Sequence, residues 1–132
     1  ATDSRQQQKA LYRQIYQANE LPRVRYGSNV EQADAAQAVR RHKPQVVIGC
    51  WVTHRYEYGR HAAGGNEVGV DEDDVLANCE TYIVVGNERV HAGKKIWDRP
   101  HTIDYPGFVF SRASNGSRDF IATWPGAKQG GA

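Results

Sequence analysis

Within residues 45–56 (Gln-Val-Val-Ile-Gly-Cys-Trp-Val-Thr-His-Arg-Tyr), an apolar run breaks into a thiol at Cys50, an indole at Trp51, a hydroxyl at Thr53, an imidazole at His54 and a phenol at Tyr56. Together these groups would make a polar and aromatic pocket wall, and His54 is the best candidate base because an ordinary imidazole titrates near neutral pH. The run that precedes them has strand length and β-branched residues, and it follows a helical pattern and Pro44. That predicts a strand of an α/β sheet covered on both faces. Ligands of open α/β sheets bind at the carboxyl ends of such strands, where these side chains fall.

The segment that follows, 53–70, is polar, aromatic and glycine-rich, with Gly59, Gly64, Gly65 and Gly69. Loops of this length in compact domains are usually functional or disordered. His61, Asn66 and Glu67 lie within it, so the loop would suit a lid, with Glu67 meeting either a cation or water. The run Asp71, Glu72, Asp73, Asp74 crowds the start of a helix over 71–78, where the helix dipole is explanation enough and no metal need be invoked. Cys50 and Cys79 have no zinc or disulfide spacing, and both read as buried structural thiols.

The elements that must position these groups alternate helix and strand. A helix over 4–19 carries Ala10, Leu11, Ile15 and Ala18 on one face, with Asp3 or Ser4 as N-cap, and ends before Leu21-Pro22. An extended or loop segment over 23–30 leads to a helix over 33–42, opened by Asp34 and stopped at Lys43-Pro44. A second strand over 81–85 should lie beside the first. The tail predicts a hairpin, with strands over 108–112 and 119–124 around Asn115-Gly116, then a frayed terminus over 125–132.

With 132 residues the chain suits one domain. Its 17 Lys and Arg balance 15 Asp and Glu, a net charge of +2, so nucleic acid is not indicated as a partner. No run reaches the length of a membrane span and no signal peptide is recognised, so the expected location is cytoplasmic.

The order of three segments and the hairpin resembles the class I S-adenosylmethionine-dependent methyltransferases, in the part that follows their glycine-rich first motif. Ala1-Thr2-Asp3 is similar to the ending of the family's second strand, Val30-Glu31-Gln32-Ala33-Asp34-Ala35 to the segment after its third, and Val46-Val47-Ile48-Gly49-Cys50-Trp51 to its fourth. The resemblance implies an α/β, Rossmann-like three-layer sheet with helices and a C-terminal antiparallel hairpin, lacking the N-terminal half of the family fold. It implies S-adenosylmethionine as cofactor, with Asp3 on the ribose, Asp34 and Ala35 beside the adenine, and Cys50 and Trp51 near the methionine part. Catalytic work would fall to His54, Tyr56 and Glu67, with Tyr56 and Trp51 walling the sulfonium. Asp3 and Asp34 suit plain N-caps equally well.

The family's first strand and glycine-rich turn have no counterpart here, since no strand leads into Gly64-Gly65. In the family that strand is central, so its loss leaves the fourth strand with an open edge that must be covered or paired. A homo-oligomer or a missing N-terminal segment would meet that need. Two other functions fit the same residues. One is a non-catalytic binding or assembly module; the other is a different enzyme acting on an adenosine-type ligand at a subunit interface, through Glu67 and Tyr56.

Overall fold

A computed structural model of the chain describes residues 2–3, 10–20, 26–113 and 116–128. In chain order the elements are β1 (Thr2–Asp3), α1 (Ala10–Ala18), β2 (Glu31–Gln32), α2 (Ala35–His42), β3 (Val46–Cys50), α3 (Glu72–Ala77), β4 (Thr81–Asn87), β5 (Thr102–Asp104) and β6 (Asp119–Pro125). Short 3₁₀ turns stand at His61–Ala63 and Lys95–Asp98. The class is mixed α/β, as the alternating pattern predicts.

The strands form two sheets. β1 and β2 make a small parallel pair, and the other four run in the order β3-β4-β6-β5. β3 and β4 are parallel with Val47 beside Tyr82 and Gly49 beside Val84, while β6 lies antiparallel between β4 and β5. Parallel neighbours need a crossover, and the segment carrying α3 supplies it. The register puts Val47, Tyr82, Val84, Phe120, Ala122 and Trp124 on one face of the sheet. Val39 of α2 and Val75 and Leu76 of α3 close over that face, with Ile96 beside them. Fully burying each such side chain stabilises the fold by about 1.5–3 kcal/mol, so this single face carries the core.

The opposite face departs from the expected cover on both sides. Its rows are Ile48–Ile83–Thr123 and Cys50–Val85–Ile121, and at β3 they lie open, with Val46 49% and Ile48 65% exposed. α1 buries none of its residues and leaves Leu11 and Ile15 exposed. Two helices thus cover one face, and Cys50 is exposed while Cys79 is buried. An alternation of exposed and half-buried residues was hidden in a run that is apolar at nearly every position.

Other boundaries shift for physical reasons. α2 is capped by Asp34 as expected and ends at Lys43, which takes the left-handed conformation (φ 48°) before Pro44. The C-terminal hairpin exists, but its first strand is Thr102–Asp104 rather than 108–112. Val109 N–H instead donates to the Pro106 carbonyl in a turn, and Phe108 and Phe110 are exposed. Residues 126–128 are not frayed: the Gly126, Ala127 and Lys128 amides donate to the Glu80, Leu76 and Cys79 carbonyls at 2.7, 2.8 and 3.0 Å. The expected N-cap at Ser4, the helix stop at Leu21-Pro22 and the turn residue Asn115 lie outside the described residues.

Candidate functional site at the carboxyl ends of the parallel strands

Three strand ends meet at one place. β1 finishes at Asp3, whose carbonyl accepts the Ala33 amide at 3.0 Å and so holds the exit of β2 beside it. Asp34 follows in extended conformation, and its carboxylate accepts the Gln37 N–H at 3.3 Å to cap α2. β3 leaves its sheet through Trp51, a bulky residue at φ 57° whose amide still donates to the Val85 carbonyl at 2.8 Å. Backbone in that region is costly for a tryptophan and turns Val52 and Thr53 sharply towards Asp3 and Asp34. The result is a pocket of about 220 Å³ walled by Asp3, Asp34, Ala35, Thr53, Asn66 and Val70. It opens beside a larger cleft of about 610 Å³ that runs along the whole of β3 and has Thr2, Asp3, Ala35, Val52 and Val70 in common with it.

The residues predicted for the cofactor are therefore mostly brought together. Asp3, Asp34 and Ala35 share the pocket, and Cys50 lines the adjoining cleft. Trp51 lies on neither wall; its ring packs edge-on against His91 at 5.0 Å. Arg55 stands within 4.0 Å of Asp34 and 3.9 Å of Asp71, a cation between two carboxylates.

The predicted catalytic residues are placed differently. Backbone bridges between His54 and Val70 and between Arg55 and Asn66 close the 53–70 loop on itself. A Cβ at Gly69 would overlap the His54 carbonyl, so this glycine is required by a close backbone approach. The His54 Nε2 lies 3.0 Å from the Ala63 carbonyl, which fixes it as the protonated, donating nitrogen, and the ring borders a small charged pocket with Arg55 and Asp71. Tyr56 O–H is 3.4 Å from His61 Nδ1, and Glu67 is exposed to solvent. Neither Tyr56 nor Glu67 reaches the walls shared by Asp3 and Asp34.

Beneath the pocket is a buried ionic network that sequence reasoning missed. Lys94 Nζ donates to the Val52 carbonyl at 2.9 Å and to both Glu72 oxygens at 3.1 and 3.0 Å, and Tyr82 O–H donates to Glu72 at 2.6 Å. Burial pushes the Lys94 ammonium below its ordinary pKa and pushes the Tyr82 phenol up. This triad ties the exit of β3 to α3 and β4. In sequence, Lys94 sits beside Lys95 in a polar stretch and Glu72 sits inside an acidic run, so nothing marked either as buried.

A second hub is Asn87. Its side-chain oxygen accepts the Arg89 and Val90 amides and the Ser117 hydroxyl, and its Nδ2 donates to Asp119 at 2.9 Å. His91 Nδ1 accepts the Asn87 amide at 3.0 Å, and burial, reinforced by the Lys94 charge, lowers the imidazole pKa. Comparison with family models, with curated proteins and with solved structures returns no match for this chain.

Proposed function

We propose that the chain binds S-adenosylmethionine or a related adenosine compound at the carboxyl ends of β1, β2 and β3, on a Rossmann-like half-sheet of methyltransferase type. The observation that carries this reading is the meeting of Asp3, Asp34 and Ala35, from segments about thirty residues apart in sequence, in one pocket at the end of three strands. Ligand sites of this kind span roughly 300–1,000 Å³, a range the pocket and its adjoining cleft supply between them. On this reading Asp3 accepts hydrogen bonds from two vicinal ribose hydroxyls, and Asp34 and Ala35 border the base; their shared pocket supports it. When bound, the cofactor supplies an electrophilic methyl on a sulfonium. The chain's part is to orient it and keep water away.

Binding without turnover is the second reading, favoured by one observation. His54, Tyr56 and Glu67 are engaged within their loop or exposed, away from the Asp3–Asp34 pocket. Titration with S-adenosylhomocysteine and with adenosine, at millimolar ligand, tests the common claim. Saturable binding is expected, and Asp3→Asn should weaken it at least tenfold, about 1.4 kcal/mol. A folded chain that shows no binding of either compound would rule the reading out. Product analysis with bound S-adenosylmethionine then separates methyl transfer from binding alone.

A further inference from the structure

The sharp exit of β3 rests on a buried imidazole. His91 is 3% exposed and closes a reciprocal turn with the end of β4: its amide donates to the Asn87 carbonyl at 2.9 Å, and its Nδ1 accepts the Asn87 amide at 3.0 Å. A ring nitrogen that accepts carries no proton, so the imidazole is neutral with its hydrogen on Nε2. A Cβ at Gly86 would overlap Nδ1, so this strand position must be glycine for the ring to lie where it does. Phe120 of β6 meets the ring edge-on at 6.2 Å and Trp51 does so at 5.0 Å. The next residue, Val52, is pinned through its carbonyl by Lys94. Both holds act where the backbone is strained, at Trp51 with φ 57°, and Val52 lines the pocket of Asp3 and Asp34 as well as the cleft along β3.

We propose that His91 is a positioning residue for the pocket wall, acting through Trp51: the neutral ring clamps the exit of β3, and a proton taken up on Nδ1 releases it. The new Nδ1–H would face the Asn87 N–H, turning a hydrogen bond into a contact between two donors, so the ring must leave its slot. The charged and titratable groups that bear on the ring are Lys94 and His54, which add charge of the same sign. Glu72 pairs with Lys94 and Asp119 with the Asn87 side chain, and among the described residues neither carboxylate pairs with the imidazole. Protonation thus finds no counterion in the slot and works against the neighbouring hold of Lys94 on Val52. With the ring gone, nothing offsets the strain at Trp51, and its amide leaves the Val85 carbonyl. Tyr82 and Trp124 pair at the far end of the β4–β6 ladder from Gly86 and Asn87, so the release stays local. Its effect on a ligand rests on the reading of the pocket proposed above, while the clamp itself stands on the geometry of the ring.

Residue-resolved amide exchange of the whole chain between about pH 7.5 and 5.5 tests it, with each rate divided by that of the unstructured amide. A released imidazole titrates near its ordinary value of about 6.5 and the clamped ring lower, so the released population rises by up to about tenfold over this range. Exchange at Trp51 and Asn87 should speed by that factor while Tyr82 and Ala122 keep their protection. His91→Asn, whose side-chain oxygen can still accept the Asn87 amide but takes up no proton, should show no such acceleration. Gly86→Ala should expose the Trp51 and Asn87 amides already at pH 7.5, because its Cβ evicts the ring; if that variant does not fold, the pH profile of the parent decides alone. Protection at Trp51 that is the same at both ends of the range would overturn the proposal. So would protection lost at Tyr82 in step with Trp51, since His91 would then support only the fold as a whole. None of these measurements involves an adenosine compound, so failure of the clamp and failure of the ligand reading are told apart.

Discussion

Two side chains carry more of this molecule than their number suggests. Among the described residues the Lys94 ammonium is held by Glu72 and the Val52 carbonyl, and its side chain has no exposure. Removing one partner of a buried pair costs about 3–5 kcal/mol because the other charge is left bare. Lys94→Met should therefore lower the unfolding free energy by about 3 kcal/mol or more in urea titration; a loss under about 1 kcal/mol would show that Glu72 does not depend on it. His91 gives a pH dependence with a definite sign. Its folded-state pKa lies below the unfolded value, so between that value and about pH 6.5 the unfolded chain holds more protons and stability falls as pH falls. The slope approaches about 1.4 kcal/mol per pH unit at most. Asp73 and Asp119, held low by their partners, lose their contributions only at more acidic pH, through the ordinary carboxylate range. Unfolding free energies from pH 5.5 to 7.5 should show the slope in the parent and a shallower one in His91→Gln.

At the scale of elements, the 53–70 loop is a built unit rather than a free lid. The Val70 amide on the Thr53 carbonyl at 2.8 Å and the Tyr56 amide on the Asn66 carbonyl at 2.9 Å hold its two arms together. Gly69→Ala should break this closure, lowering the melting temperature and speeding amide exchange across 53–70 while β4 and β6 stay protected; an unaltered loop would mean that its backbone has room to give. Elements whose cause is local were legible in sequence. Asp34 as a cap, the stop at Lys43-Pro44, the acidic start of α3 and the two apolar strands all follow from residue type within a few positions. What was not legible depends on distant partners. β5 is three residues long and exists because β6 offers an edge, whereas the aromatic run at Phe108–Phe110 looks like a strand and pairs with nothing in the sheet. The candidate site divides in the same way: the family resemblance pointed to Asp3, Asp34 and Ala35, which line one pocket, and nothing pointed to Glu72–Lys94, since charge patterns do not announce burial.

For the whole molecule, the sheet with helices on one side is the governing fact. Ile48, at 65% exposure, heads an apolar row that continues through Ile83 of β4. Such a patch promotes association at high protein concentration. Ile48→Lys should shift stability by no more than about 0.5 kcal/mol, as exposed substitutions do, while suppressing concentration-dependent scattering. Equal scattering from parent and variant would place the sticky surface elsewhere, for instance at Phe108 and Phe110.

The sheet order has a consequence in time as well as in space. β6 is the last of the described strands in sequence, yet it sits between β4 and β5, and the Gly126–Lys128 amides that follow it fasten the carbonyls of Leu76, Cys79 and Glu80. During synthesis Tyr82 and Val84 emerge with no strand to pair their far edge and no Trp124 or Phe120 to pack against. A growing chain must wait for residues 119–128 to clear the ribosome before its core can close. Until then its apolar strands are exposed to misassembly, and holdase chaperones have their longest opportunity to bind.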